Sequence, residues 1–208
     1  MTILYNPSLS STHFIVPGLI AILLTILASL LTSTAVVRER EWGSFETLVT
    51  SPARPVDILV GKLVPYAGIA FFDVVLSVAT GVVVFHVVPV GSVALLFGAS
   101  FLYLLASLAL GMLFSTIAKT QQLAILLAVL STLLPTILLS GFVFPVRSMP
   151  LPLSLLSNLI PATHFLLIIR GVYLKGSGLL ILWPRLLILA GFSFGLLLLA
   201  AKRFRKRL

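Results

Sequence analysis

The 208-residue chain has no cysteine, which excludes disulfides and thiolate metal sites and leaves the redox compartment open. Charge is also scarce. Only 9% of the residues are Asp, Glu, Lys or Arg. Five acids stand against 14 Lys and Arg, for a net charge of +9. Set beside 60% apolar residues and a mean hydropathy of +1.22, that shortage excludes an ordinary soluble domain and indicates an all-α polytopic membrane protein. The three histidines, His13, His86 and His164, are too far apart in sequence to suggest a local metal site, and no His-Glu-x-x-His pattern occurs. There is no Walker A loop. Gly61-Lys62 is followed by Leu63, and Val56 stands where the first glycine is required. The glycines form no dinucleotide fingerprint and no paired catalytic groups are visible, so the chain carries no engine for ATP hydrolysis or covalent catalysis and is expected to bind no cofactor. The basic residues lie at span ends or in the final cluster Lys202, Arg203, Arg205, Lys206 and Arg207. That placement suits anionic membrane lipids rather than nucleic acid.

What is present is a succession of long apolar stretches. Membrane spans are expected at 14–37, 59–85, 93–117, 123–142 and 179–201, within a single domain covering 1–208. Pro17 falls in a first turn, where a missing amide proton matters little. Pro135 is expected to kink its span, with the freed carbonyl satisfied by a neighbouring helix. No charge precedes Arg38, so a cleaved signal peptide is not expected. Between 144 and 178 the chain differs in kind. Pro145, Pro150, Pro152 and Pro161 cut apolar pieces too short to cross, as in a segment that dips into the membrane and returns. Ten basic residues (Arg38, Arg40, Arg54, Lys62, Lys119, Lys202, Arg203, Arg205, Lys206, Arg207) would share one side, against four (Arg147, Arg170, Lys175, Arg185) on the other. That bias places the carboxyl terminus in the cytoplasm and, with five spans, the amino terminus outside.

The largest polar interruption is 38–52. Arg38, Glu39, Arg40 and Glu41 close the first span, and behind them Trp42, Phe45, Leu48 and Val49 recur at helical spacing, with Ser44, Glu46, Thr47 and Ser51 elsewhere on the wheel. Pro52 ends the pattern. The spacing predicts a short amphipathic helix at the membrane surface, apolar side on the bundle and polar side open to a partner. The plainer reading is a solvated connector that anchors helix ends. Asp73 is the one acid in the middle of a span, a candidate for the translocation path or the bundle interior. It is either a substrate-cation or proton site, or a buried carboxyl joining helices through Ser77 or Ser107. Ser107-x-x-x-Gly111 and Gly191-x-x-x-Gly195 are spacings that permit close helix contact.

Six motifs in order resemble the permease subunits of type-2 ATP-binding-cassette (ABC) exporters. They are Val37-Arg-Glu-Arg-Glu-Trp-Gly-Ser-Phe-Glu-Thr-Leu48, Ser51-Pro52-x-Arg-Pro55 with Gly61-Lys62, Thr120-Gln121-Gln122, Leu139-Ser-Gly-Phe-x-Phe-Pro145, Ser148-Met149-Pro150, and Pro161-x-Thr-His164 with Ile169-Arg170-Gly171. The resemblance implies a half-transporter that pairs with a second permease and with cytoplasmic ATPase subunits, which would bind the ATP. It implies that 38–52 docks on the ATPase, through Glu39, Glu41 and Glu46 as polar contacts beside Arg38 and Arg40, with Trp42 and Phe45 as anchors. It further implies an outer re-entrant hairpin that includes Pro145, Pro150, His164 and Arg170, and a central path bordered by spans 14–37 and 123–142. Family members usually have a first span and a large outer domain before this point. That span is therefore expected in another polypeptide, or the chain is a truncated product. An amphipathic drug or lipid-like molecule is the expected small-molecule substrate, in a bacterial or archaeal plasma membrane. A non-transporting scaffold or inactive permease is the alternative.

Overall fold

A computed structural model describes residues 11–43 and 55–205. Among the described residues the chain is helical without strands: α1 (Ser11–Ser33), α2 (Val37–Glu41), α3 (Pro55–Val83), α4 (Val93–Ile117), α5 (Gln121–Leu139), α6 (Leu151–Asn158), α7 (Pro161–Lys175) and α8 (Leu179–Arg205). Five stretches are long and apolar enough to cross a bilayer: Thr12–Glu39, Asp57–Val83, Val93–Ile117, Gln121–Leu139 and Leu179–Arg203. The fold is that of an all-α polytopic membrane protein. Helix ends follow local chemistry. Ser92 and Thr120 cap α4 and α5 by accepting the amides of Leu95 and Leu123. Pro161 opens α7 where no amide is needed, and Gly176 closes it at φ 60°.

Half or more of the apolar window is buried in α1 (56%) and α4 (50%), against 22% in α3, 22% in α5 and 17% in α8, so α1 and α4 form the centre. They meet closely at Gly111, where a Cβ would collide with Thr32 Oγ and the Ser29 carbonyl. Thr32 Oγ lies 2.9 Å from the Leu108 carbonyl of α4. The Ser107-to-Gly111 spacing is thus a real helix contact. Gly191 and Gly195 make no such contact within this chain, because a Cβ on either meets nothing within 4 Å. α8 turns Ser193 toward α4 instead, with its hydroxyl 2.6 Å from the Leu102 carbonyl.

Ahead of Pro135, where a kink is expected, the helix widens into a π-helical turn, Val129–Leu133. A proline ring crowds the carbonyl four residues before it, and a wider turn relieves that crowding. Pro135 then sits in the first turn of the α segment that follows. α5 also ends at Leu139, earlier than the 142 expected, because Gly141 takes φ 89°. The proline-rich segment forms α6 and α7, which meet at an 82° bend. Its far end is pinned to the α3–α4 turn, where the Gly91 amide donates to the Val172 carbonyl at 2.9 Å. A Cβ at position 91 would lie 3.1 Å from that same oxygen and 3.2 Å from the Gly176 backbone, a tight approach that glycine makes without displacing either chain.

Candidate functional site

The first candidate is the polar node where α1 passes into α2. The backbone amides of Val36 and Val37 donate to Ser115 Oγ of α4, at 2.9 and 3.2 Å. Glu39 pairs with Lys62 of α3. Glu41 accepts the Gln121 amide at 2.8 Å and also the Gln121 side chain, at the start of α5. These Gln121 donors, the side chain first and the backbone second, favour the ionised form and hold the Glu41 carboxyl below its ordinary value. Three helices are therefore held by one short stretch. The pair with Glu39 gives Lys62, near the start of α3, a specific partner. Arg38 stacks over the Trp42 ring with 4.2 Å between guanidinium carbon and ring centroid.

Trp42 is 68% exposed, so it does not lie on the bundle as the amphipathic pattern predicts. The reason is local: α2 stops at Glu41, and Gly43 turns the chain at φ 75° directly after Trp42. Arg40 lies within α2. Phe45 and Glu46, with the rest of the expected surface helix, lie outside the described residues.

The second candidate is the broken segment. Pro145 precedes a 3-10 turn, Val146–Ser148, and Pro150 precedes α6. His164 Nε2 lies 2.9 Å from the Asn158 carbonyl, which can only accept, so that nitrogen carries the proton. Nδ1 is then the acceptor for Arg185, 3.3 Å away. Arg170 Nη1 and Nη2 donate to the carbonyls of Gly141 and Phe142 at 2.8 and 3.3 Å. Its guanidinium carbon also sits 3.6 Å from the Phe14 ring centroid. Arg170 thus fastens α7 to the end of α5 and the start of α1. His164 and Arg170 occupy separate networks rather than one site.

A third feature, in the interior, was not foreseen from the sequence. Thr25 of α1 hydrogen-bonds the Tyr103 hydroxyl of α4, and Ser29 faces Thr132 of the π turn at 3.2 Å. Tyr103 stacks on Phe165 of α7, centroids 4.2 Å apart. Beside it a cavity of about 190 Å³ is lined by Thr25, Ser107, Thr132 and Thr136 beneath Ile160 and Pro161. The available signal was the spacing of Thr25 with Ser29 and of Thr132 with Thr136, each one turn apart. Asp73 is elsewhere, partly exposed on a flank of α3. Among the described residues no hydrogen bond joins it to Ser77 or Ser107.

Five membrane-length helices, a broken sixth element and a polar node that collects helix ends define a polytopic membrane domain. The chain belongs to the ABC-2 transporter family: a family model described as ABC-2 family transporter protein matches residues 1–202. It is 39% identical over 190 residues to the probable multidrug ABC transporter permease YbhR of Escherichia coli K12, covering 89% of this chain and 51% of that protein. The probable multidrug ABC transporter permease YbhS of the same organism is 36% identical over 173 residues, 83% of this chain and 46% of that one. Its inner membrane transport permease YhhJ is 33% identical over 205 residues, with coverage of 97% and 54%. The chain thus spans about half the length of the curated relatives it matches.

Proposed function

We propose that the chain is the membrane-spanning permease part of an ATP-driven ABC exporter in a bacterial inner membrane. It works with a second permease and with cytoplasmic ATPase subunits that bind and hydrolyse the ATP. The observation that carries the reading is the node at 36–41. Any displacement of this stretch pulls at once on α3 through Lys62, on α4 through Ser115 and on α5 through Gln121. A surface so tied can pass a push from a nucleotide-driven neighbour into the bundle and shift the balance between inward-open and outward-open states. Arg38, Glu41 and Trp42 are exposed there, with Phe45 and Glu46 following in sequence as further contacts. The excess of Lys and Arg at this end supports a cytoplasmic position for it and for the carboxyl terminus. The word multidrug in the relatives' names and the apolar spans support an amphipathic drug or lipid-like substrate.

The test uses the assembled transporter in vesicles, scored for ATP-dependent efflux and for ATPase rate. Lys62→Glu should depress efflux more than hydrolysis, and the swap Lys62→Glu/Glu39→Lys should restore coupling. Full efflux in Lys62→Glu would remove the node from the mechanism. A reporter at Trp42→Cys reachable only from the outer face would reverse the orientation. Absence of any ATP-dependent efflux in the wild-type assembly would favour a scaffold.

A further inference from the structure

We propose that the groove between the terminal ends of α4 and α8 is a binding site for an anionic phospholipid. Leu110, Leu113 and Ile117 of α4 and Leu199 of α8 line an apolar groove of about 820 Å³, and Lys202 and Arg203 complete its wall. From Leu110 to Ile117 the groove follows α4 for about 10 Å at the helical rise of roughly 1.5 Å per residue. One leaflet of a hydrocarbon core of roughly 30 Å is about 15 Å deep. The groove therefore accompanies an acyl chain through most of a leaflet and delivers its head end to two cations.

The charge distribution selects the head group. Lys202 and Arg203 are exposed, and neither forms a salt bridge among the described residues. No acidic residue lines the groove. Two basic groups beside an apolar trough fit a phosphate that carries acyl chains, and Arg205, Lys206 and Arg207 follow directly in sequence. A second groove supplies the contrast. About 650 Å³ in volume, it runs along the other flank of α8 past Val64, Phe71 and Phe194, and no charged side chain lines it. It can take acyl chains but has nothing to discriminate between head groups. The inference needs only that the chain sits in a bilayer, so it stands or falls independently of export.

The absence of cysteine makes the experiment direct. Leu113→Cys reports the charged groove and Val64→Cys the uncharged one, each carrying a bimane label in the full chain in phosphatidylcholine vesicles. The quenchers are phosphatidylglycerol or phosphatidylcholine with brominated acyl chains. Each basic residue near the head group favours the anionic lipid by about fivefold, so two give a preference of roughly 25-fold at position 113 at low salt. Lys202→Gln/Arg203→Gln should bring that ratio near one, while position 64 shows none in either background and confirms insertion. Equal quenching by both lipids at position 113 would overturn the proposal. So would a preference that survives the double substitution, or no quenching at 113 when 64 is quenched, the mark of a protein occupant.

Discussion

Gly111→Ala is the sharpest test of how α1 and α4 are held together. The added methyl collides with Thr32 Oγ and with the Ser29 carbonyl, and the latter belongs to a backbone that cannot rotate away. Overpacking of this kind costs about 1–3 kcal/mol. Displacing Thr32 also strains its bond to the Leu108 carbonyl, an interhelical hydrogen bond of a kind worth about 0.6 kcal/mol in membranes. Against this, alanine is a better helix former than glycine by up to about 1 kcal/mol. The net loss is about 1–2 kcal/mol. Gly98→Ala on the same helix is the internal control, because a Cβ there meets nothing within 4 Å. It should gain up to about 1 kcal/mol from propensity alone. Reversible unfolding in mixed detergent micelles would measure both. Adding Thr32→Ala to Gly111→Ala should recover only part of the loss, since the Ser29 carbonyl remains. If the two alanine variants had the same stability, the close crossing of α1 and α4 would be refuted.

Two further outcomes follow from the contacts. Because Gln121 holds the Glu41 carboxyl below its ordinary value of 4.5, the tether contributes fully above that value and is lost as pH falls through the lowered one. Rate-corrected amide exchange at Gln121 should therefore be slower than in Glu41→Ala at neutral pH, with the difference vanishing in acid; a difference that grew in acid would count against the bond. Arg170→Gln should destabilise the chain by about 2–3 kcal/mol, because charge-assisted bonds to two carbonyls are lost. Exchange across 140–148 should rise with it, and Arg170→Lys should rescue little, since a point charge cannot span both oxygens.

The membrane helices were legible because an uncharged apolar run of bilayer length has few other uses, and their ranges fall within a few residues of those expected. Helix ends were less so. α5 stops short because Gly141 adopts a left-handed conformation, and α2 stops before Trp42 because Gly43 does the same. A wheel drawn through either position carries the helix too far. Spacing of small residues shows that two helices are able to touch, not that they do, which is why within this chain Gly111 marks a crossing and Gly191 does not. The hydroxyls around Tyr103 were missed for a related reason. Isolated Ser and Thr in apolar helices become a network only once the register of α1, α4 and α5 is known. Arg170 stood out as part of a motif, yet its partners are main-chain carbonyls 28 and 29 residues away, which no side-chain pattern announces.

The main-chain bond from Gly91 to Val172 bears on how this lineage is free to drift. Donor and acceptor are both peptide groups, so the exposed apolar residues beside the fastening, Val88 and Val90, can be exchanged without removing the bond. Variation among homologues should be wide at the exposed positions 88 and 90 and narrow at 91. A deep collection of sequences would reveal that asymmetry as one invariant column set in a permissive neighbourhood.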